Sequence, residues 1–251
     1  MQIEGLSWFP GHMTKTKRMI VAEIKNVDAV CEILDARIPL SSRNPDVDEM
    51  TTGKPRLVVL NRVDQADPRE TKRWAAYFRG KGYAVLEANA KGGVGTAQFA
   101  AAVRELLKDK LAAYAEKGQV GRTVRVMVLG IPNVGKSTFI NKVAHRKTAK
   151  AEDRPGVTRS KQWVPVDRTL ELLDTPGILW PKFDDVEVGK CLAFTGAIKD
   201  DVMDIEELAC YLMEYLGRHY ADILTERYKI DVEEGDTGYD LLTKAGRKRG
   251  V

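Results

Sequence analysis

Residues 130–137 read GIPNVGKS, which fits G-x-x-x-x-G-K-[ST] and follows an apolar run, Val124–Leu129, that predicts a buried strand. A loop of this kind wraps phosphate oxygens. Gly130 and Gly135 let the backbone approach closely, while amide N–H groups and the start of the next helix supply positive potential. Asn133, Val134, Gly135, Lys136, Ser137 and Thr138 are the expected nucleotide contacts, with Lys136 bridging the β- and γ-phosphates and Ser137 ligating Mg²⁺. The bland alternative, a plain strand-to-helix turn, needs the whole pattern and both flanks to coincide by accident.

The phosphate loop does not name the base. NRVD at 61–64 follows a second strand-like run, Arg56–Leu60, and a carboxylate at Asp64 can accept hydrogen bonds from both the ring N–H and the exocyclic amine of guanine. Adenine offers no such donor pair, so a site built this way rejects it. Asn61 and Arg62 complete that string, Asn61 holding the base and stitching loops together, and NAK at 89–91 (Asn89, Ala90, Lys91) is placed to back the base with its main chain. Alone, N-x-x-D is ordinary turn chemistry; beside a phosphate loop it is a guanine reader. DTPG at 174–177 follows the run Thr169–Leu173. It places Asp174 to hold Mg²⁺ through water and the Gly177 amide to sense the γ-phosphate. In RPGVT, 154–158, Thr158 is the candidate second Mg²⁺ ligand, against the reading of a common loop threonine.

Alternating segments must position these strings. Val27–Leu34, Arg56–Leu60, Tyr83–Glu87 and Val124–Leu129 predict strands, with helices at Pro68–Arg79, Thr96–Glu116 and from Lys136 to about Ala144. Lys161–Val166 and Thr169–Leu173 predict two strands joined at Asp167-Arg168, one of them antiparallel at a sheet edge. Beyond Gly177, Val186–Phe194, Ile205–Arg218 and Tyr220–Tyr228 predict helices only. The expected architecture is α/β: a mostly parallel sheet with helices on both faces, as in Ras-like P-loop GTPases, carrying a small C-terminal all-helical extension. The base-reading strings precede the phosphate loop, whereas an ordinary GTPase places them after it, so the domain reads as circularly permuted. The expected divisions are an N-terminal functional segment at 1–20, the permuted domain at 21–182 and an RNA-contacting helical extension at 183–251, which the 174–177 string enters directly.

The 251 residues have a mean hydropathy of −0.32, with 43% hydrophobic and 30% charged side chains, which is globular composition. No apolar run is long enough to span a membrane, and the first residues lack the apolar core of an export signal. Cys31, Cys191 and Cys210 lie too far apart for a disulfide framework or a zinc knuckle, which favours a reducing, cytoplasmic setting; a monomer is the expected state. Net charge is only +4, but it is patterned: eight Lys/Arg against three Asp/Glu over 142–168, an acidic stretch at 231–240, and four cations in the last eight residues. Such blocks are either solvated surface or the footprint of a phosphate-rich partner such as RNA.

Four strings, WFPGHM (8–13), LDARIPLSSRNP (34–45), GIPNVGKS (130–137) and DTPGILWPK (174–182), together with the permuted order, resemble the YlqF/RbgA family of circularly permuted ribosome-biogenesis GTPases. The match runs from Trp8 to about Asp200. The resemblance implies a cytoplasmic GTPase acting late in large-subunit assembly, contacting the precursor particle and its rRNA and accelerated by it. It also implies a longer C-terminal helical domain than these residues hold. Ile178 stands where Ras-like enzymes carry a water-orienting glutamine, so another group must act on the water. His12 is the candidate on chemical grounds and by resemblance, against a role in packing or in binding RNA phosphate. Asn133 resembles the asparagine with which potassium-activated GTPases hold K⁺, against a loop-capping role. Arg37 and Arg43 either meet RNA or tie the N-terminus down. GTP or GDP, Mg²⁺ and K⁺ are thus the expected small-molecule partners. The rivals are a nucleotide-gated RNA clamp with incidental hydrolysis, a small-subunit permuted GTPase, and a nucleotide kinase. The second would need a β-barrel and a Cys/His zinc site, and NRVD argues against the third.

Overall fold

The computed structural model describes residues 11–145, 161–180, 185–198 and 204–250, with backbone alone for Gly11 and His12. Helix α1 (Gly11–Glu23) leads into β1 (Ala29–Asp35), followed by α2 (Asp46–Met50), β2 (Arg56–Asn61), α3 (Pro68–Gly80), β3 (Ala84–Ala88), α4 (Phe99–Leu106), α5 (Lys108–Glu116) and β4 (Val124–Leu129). Then come α6 (Lys136–Val143), β5 (Gln162–Asp167), β6 (Leu170–Asp174) and the helices α7 (Val186–Phe194), α8 (Ile205–His219), α9 (Ala221–Tyr228) and α10 (Gly238–Arg249).

Six strands form one sheet in the order β3-β2-β1-β4-β6-β5, parallel throughout except for the edge strand β5. Chain order runs outward from β1 toward β3 on one side and from β4 toward β6 on the other. The boundary between β1 and β4 is therefore a topological switch point, where open α/β sheets hold ligands beyond their carboxyl ends. Every residue of β1 and β2 is buried, as expected of central parallel strands covered on both faces. On one face Val30, Met127, Leu129 and Leu173 pack with Ile20 of α1 and with Val47 and Met50 of α2, while Val58 and Leu60 pack with Ala75 and Phe78 of α3. The alternate residues Cys31, Ile33, Leu57, Val59, Val126 and Val128 are equally buried. Helix α4 packs on β2 and β3 and α6 on β6, and the Phe99 and Phe139 rings meet edge to face with centroids 5.4 Å apart.

Local signals set the helix ends. The Asp67 side chain caps α3 through the Arg69 amide, with Pro68 supplying a preset first-turn φ. The segment predicted as one helix over Thr96–Glu116 is broken: a 3₁₀ turn at Thr96–Gln98 precedes α4, and Leu107 (φ −106°, ψ 12°) separates α4 from α5. Leu107 is 2% exposed, so a buried residue interrupts the helix, which helical periodicity does not reveal. The 161–173 strand pair is present, with its turn one residue later than expected and the Asp167 carboxylate accepting from the Thr169 amide.

The chain forms two compact units, Met1–Val188 and Gly189–Val251. In the second, Met213, Leu224, Ile230, Leu241 and Ala245 make a small core. Helix α10 was not legible in the sequence, where its ends look like separate charge blocks. Thr237 and Asp240 form a capping box at its start, and Arg247, Lys248 and Arg249 fill its last turn, so both blocks complement the helix dipole. Lys244 bonds Asp236 and Glu233. Among the described residues no helix is long and apolar enough to cross a membrane.

Candidate active site

The carboxyl ends of five parallel strands carry the predicted strings, and strand register brings them together. Asp35 is level with Asn61, and Asn61 with Ala88; on the other side of β1, Glu32 is level with Leu129, and Val128 with Asp174. The phosphate loop leaves β4 at Leu129 and enters α6 at Lys136, with Gly135 at φ +90°. A Cβ there would lie 2.5 Å from Asn61 Nδ2, so the turn needs glycine for both its backbone and its neighbour. Asn133 also takes a left-handed backbone, φ +60°.

Asn61 links three loops. Its Nδ2 donates to the Val134 carbonyl at 2.9 Å, and its Oδ1 accepts from the Ala90 amide at 3.0 Å. Its neighbour Arg62, left-handed at φ +64°, donates to the Asn133 carbonyl at 2.7 Å and lies 3.7 Å from the buried Asp35 carboxylate. The base-side strings are thereby tied to the phosphate loop at two points. Asp64, in a short 3₁₀ turn (Val63–Gln65), is exposed and free to face a ligand. Asn89 closes the next loop through bonds with Val94, Gly92 and Gly93, with Ala90 buried and Lys91 exposed.

Lys136 and Asp174 are both buried, at 7% and 1% exposure. Burial pulls the Lys136 amine below its ordinary value, with Asp174 acting the other way; burial pushes the Asp174 carboxyl up, against the charge of Lys136 and the Thr175 amide. Asp174 Oδ1 lacks a hydrogen-bond partner. A buried, orphaned carboxylate oxygen near Lys136, at the end of a phosphate loop that also carries the Ser137 hydroxyl, is a donor set that fits a hard divalent cation. Thr175 Oγ1 anchors the strand end to the Val128 carbonyl at 2.7 Å. Gly177 backs directly onto Pro132, which a Cβ would approach to 2.8 Å. Ser137 and Thr138 begin α6. Thr158 lies outside the described residues, as do Trp8, Phe9, Pro10 and the side chain of His12; the His12 backbone is in the first turn of α1.

Three contributors had escaped the sequence reading. Asp35 receives Arg37 and faces Arg62, Thr175 anchors β6, and Asn44 donates to the Ile178 carbonyl. Asp35 and Asn44 lie in the string LDARIPLSSRNP, whose length was the available signal. Arg37 bonds Asp35, and Arg43 pairs with Glu32 and Asp48, so both fix their own loop to the sheet.

A P-loop followed by a helix, the NRVD loop bonded to it, and a carboxylate at the end of the neighbouring strand form the arrangement of a GTPase. The model of the 50S ribosome-binding GTPase family matches residues 125–227. Ribosome biogenesis GTPase A of Bacillus cereus is 49% identical over 98% of this chain and 82% of its own length; that of Priestia megaterium is 47% identical over 98% and 85%. Among solved structures, GNP-bound YlqF from T. maritima aligns with TM-score 0.58 and 25% identity, covering 94% of each chain. The chain belongs to the ribosome biogenesis GTPase A family, and it hydrolyses GTP.

Proposed function

We propose that this GTPase is an assembly factor for the large ribosomal subunit that docks on immature particles in its GTP state and leaves after hydrolysis. The observation that carries the site reading is the orphaned Asp174 carboxylate oxygen, buried near Lys136 at the carboxyl end of β6, level with Val128 of β4. In this reading Asp64 accepts from guanine, Asn61 and Ala90 shape the base pocket, and Asn89 and Lys91 close it. Arg62, Asn133, Val134, Gly135 and Thr138 form the phosphate wall. Lys136 spans the β- and γ-phosphates, and the Gly177 amide meets the γ-phosphate. Ser137, Thr158 and, through water, Asp174 would hold Mg²⁺, and Asn133 would contribute to a K⁺ site. When bound, such cations would supply positive charge to the phosphate oxygens.

Ile178 cannot orient a water molecule, so His12 takes that task, with its ring accepting or steering the proton. Contact with the particle completes the arrangement. Release would follow because the chain runs from Gly177 to the start of α7 at Val186 in nine residues (186 − 177), so the γ-phosphate sensor leads directly into the helical extension. The test is GTP turnover in K⁺ and in Na⁺, with and without purified large subunits, for the wild type and His12→Ala. Stimulation by the subunit that His12→Ala loses while still binding GTP is the expected result. The absence of stimulation in either salt overturns the reading in favour of a nucleotide-gated clamp, which the apolar Ile178 would suit.

A further inference from the structure

At the amino ends of the strands, opposite the nucleotide loops, lies a cleft of about 490 Å³. Its walls come from the residues that lead into three neighbouring strands and from α5. Five cations line it, Lys25, Lys54, Lys110, Arg122 and Arg125, around a single carboxylate, Asp28. That carboxylate is already committed: it accepts from the Arg125 amide at 2.9 Å, from Lys110 at 2.7 Å and from the Tyr114 hydroxyl at 3.3 Å. Arg125 also lies 3.4 Å from Glu171. The lining therefore keeps a clear positive excess.

The Lys54 ammonium donates to the Val27 carbonyl at 2.7 Å. Burial holds it below the ordinary lysine value, and the charge of Lys110 adds to that, which an incoming anion would relieve. The Arg122 guanidinium lies over the Tyr114 ring, 4.4 Å from its centroid, so the lining includes a cation–aromatic pair.

We propose that this cleft binds the phosphate backbone of RNA. The cations are spread along the starts of β2, β1 and β4, two interstrand spacings or about 10 Å, so they suit successive phosphates of a chain better than one compact anion. A guanidinium paired with a tyrosine ring offers planar groups against which an unpaired base can lie, a use that a lipid headgroup or inorganic phosphate does not have. The near-absence of apolar lining disfavours a peptide. The cleft is separated from the nucleotide loops by the length of the strands, about 20 Å, so one chain can hold GTP and RNA at opposite edges of the sheet. The proposal rests on the reading of this GTPase as a factor that acts on ribosomal particles.

The test compares the full chain with the triple variant Lys25→Gln, Lys54→Gln, Arg122→Gln and with a charge-keeping triple, Lys25→Arg, Lys54→Arg, Arg122→Lys. Binding to purified large-subunit rRNA is measured across a salt series, with particle-free GTP turnover and thermal unfolding as controls. The neutral triple should bind rRNA roughly 10- to 100-fold more weakly near 0.1 M salt, and its log–log salt slope should fall by about 2. Particle-free turnover should stay at the wild-type rate, and the charge-keeping triple should bind within about threefold of wild type. Unchanged affinity and slope in the neutral triple overturn the proposal while particle-stimulated turnover of the wild type leaves the functional reading standing. A wild type that particles do not stimulate sinks that reading instead. If the neutral triple loses binding of inorganic pyrophosphate but keeps that of rRNA, the cleft is a small-anion site and the proposal is wrong.

Discussion

The side-chain amide of Asn44 donates to the main-chain carbonyl of Ile178 at 3.3 Å, across 134 residues of sequence. On its other side the Ile178 amide donates to the Gly130 carbonyl at 3.2 Å. The residue after Gly177 is thus clamped between the loop beyond β1 and the phosphate loop. Its side chain is 2% exposed, packed in a cluster with Ile20, Val47, Leu129 and Leu173. An apolar residue here belongs to the core beneath the site, and its orientation follows from burial.

Restoring the Ras-like glutamine should therefore not restore Ras-like chemistry. Ile178→Gln would bury an amide among aliphatic side chains and should lower stability by about 2–3 kcal/mol, with no gain in particle-free turnover. Denaturant unfolding and single-turnover hydrolysis read the two effects. A variant of wild-type stability with faster hydrolysis would show that the side chain turns outward.

Asn61 offers a sharper separation of site from scaffold. Its two bonds, to Val134 and to the Ala90 amide, join the base-side loops to the phosphate loop. Asn61→Ala removes both and leaves a buried amide N–H and a carbonyl unpaired, at a cost of about 1–3 kcal/mol. Weaker GTP and GDP binding, each by tenfold or more, should accompany it, because three loops lose a common tie. Calorimetric titration checks this. A variant that loses stability but binds nucleotide normally would mean that the loops hold their places without Asn61.

Much of this was legible in the sequence because turn chemistry and ligand chemistry share residues. The strings at 61–64, 89–91, 130–137 and 174–177 each follow an apolar run, and all lie at the carboxyl edge of the sheet. What escaped depended on partners distant in sequence. Asn44 has no meaning until Ile178 is beside it, and Asp35 none until Arg62 folds over the phosphate loop. Helix α10 escaped because its capping box and basic last turn enclose few apolar residues, so charge masks the period. Helix α1 carries a weak apolar stripe: among its described residues Met13, Thr16 and Ile20 are buried, and one of the three is polar.

A buried ionic cluster under the loop beyond β1 makes a stability prediction. Arg56, 5% exposed in its side chain, pairs with Glu32 at 3.0 Å, bonds Asp48 and Thr51, and lies 4.9 Å from the Tyr83 ring centroid. Arg43 reaches Glu32 Oε1 at 3.4 Å without forming an aligned hydrogen bond. Arg56→Met would strand the Glu32 charge and should cost about 3–5 kcal/mol. Adding Glu32→Leu should recover part of that loss, since the orphaned charge goes with it. Urea midpoints of the two variants decide the matter; a double variant less stable than Arg56→Met would show that Arg43 alone satisfies Glu32.

Asp28 governs part of the acid limb of stability. Burial alone would push its carboxyl up, but the Lys110 ammonium, the Arg125 amide and the Tyr114 hydroxyl bring it net below the ordinary value of 3.8. A carboxylate whose folded pKa is depressed stabilises the fold fully above its unfolded pKa, and that contribution is lost as pH falls through the folded one. Asp28→Asn should therefore be less stable than wild type at pH 7, where the carboxylate is charged in the wild type and Lys110 would lose its partner. Below about pH 4 the wild-type curve should drop toward that of the variant, and the two should meet once Asp28 is protonated. Asp48 and Asp167 are also held below the usual range, but they titrate in both proteins, so the difference between the curves isolates Asp28. Thermal midpoints from pH 7 to pH 3 make the comparison. Curves that stay parallel throughout would show that the carboxylate gains nothing from Lys110, Arg125 and Tyr114.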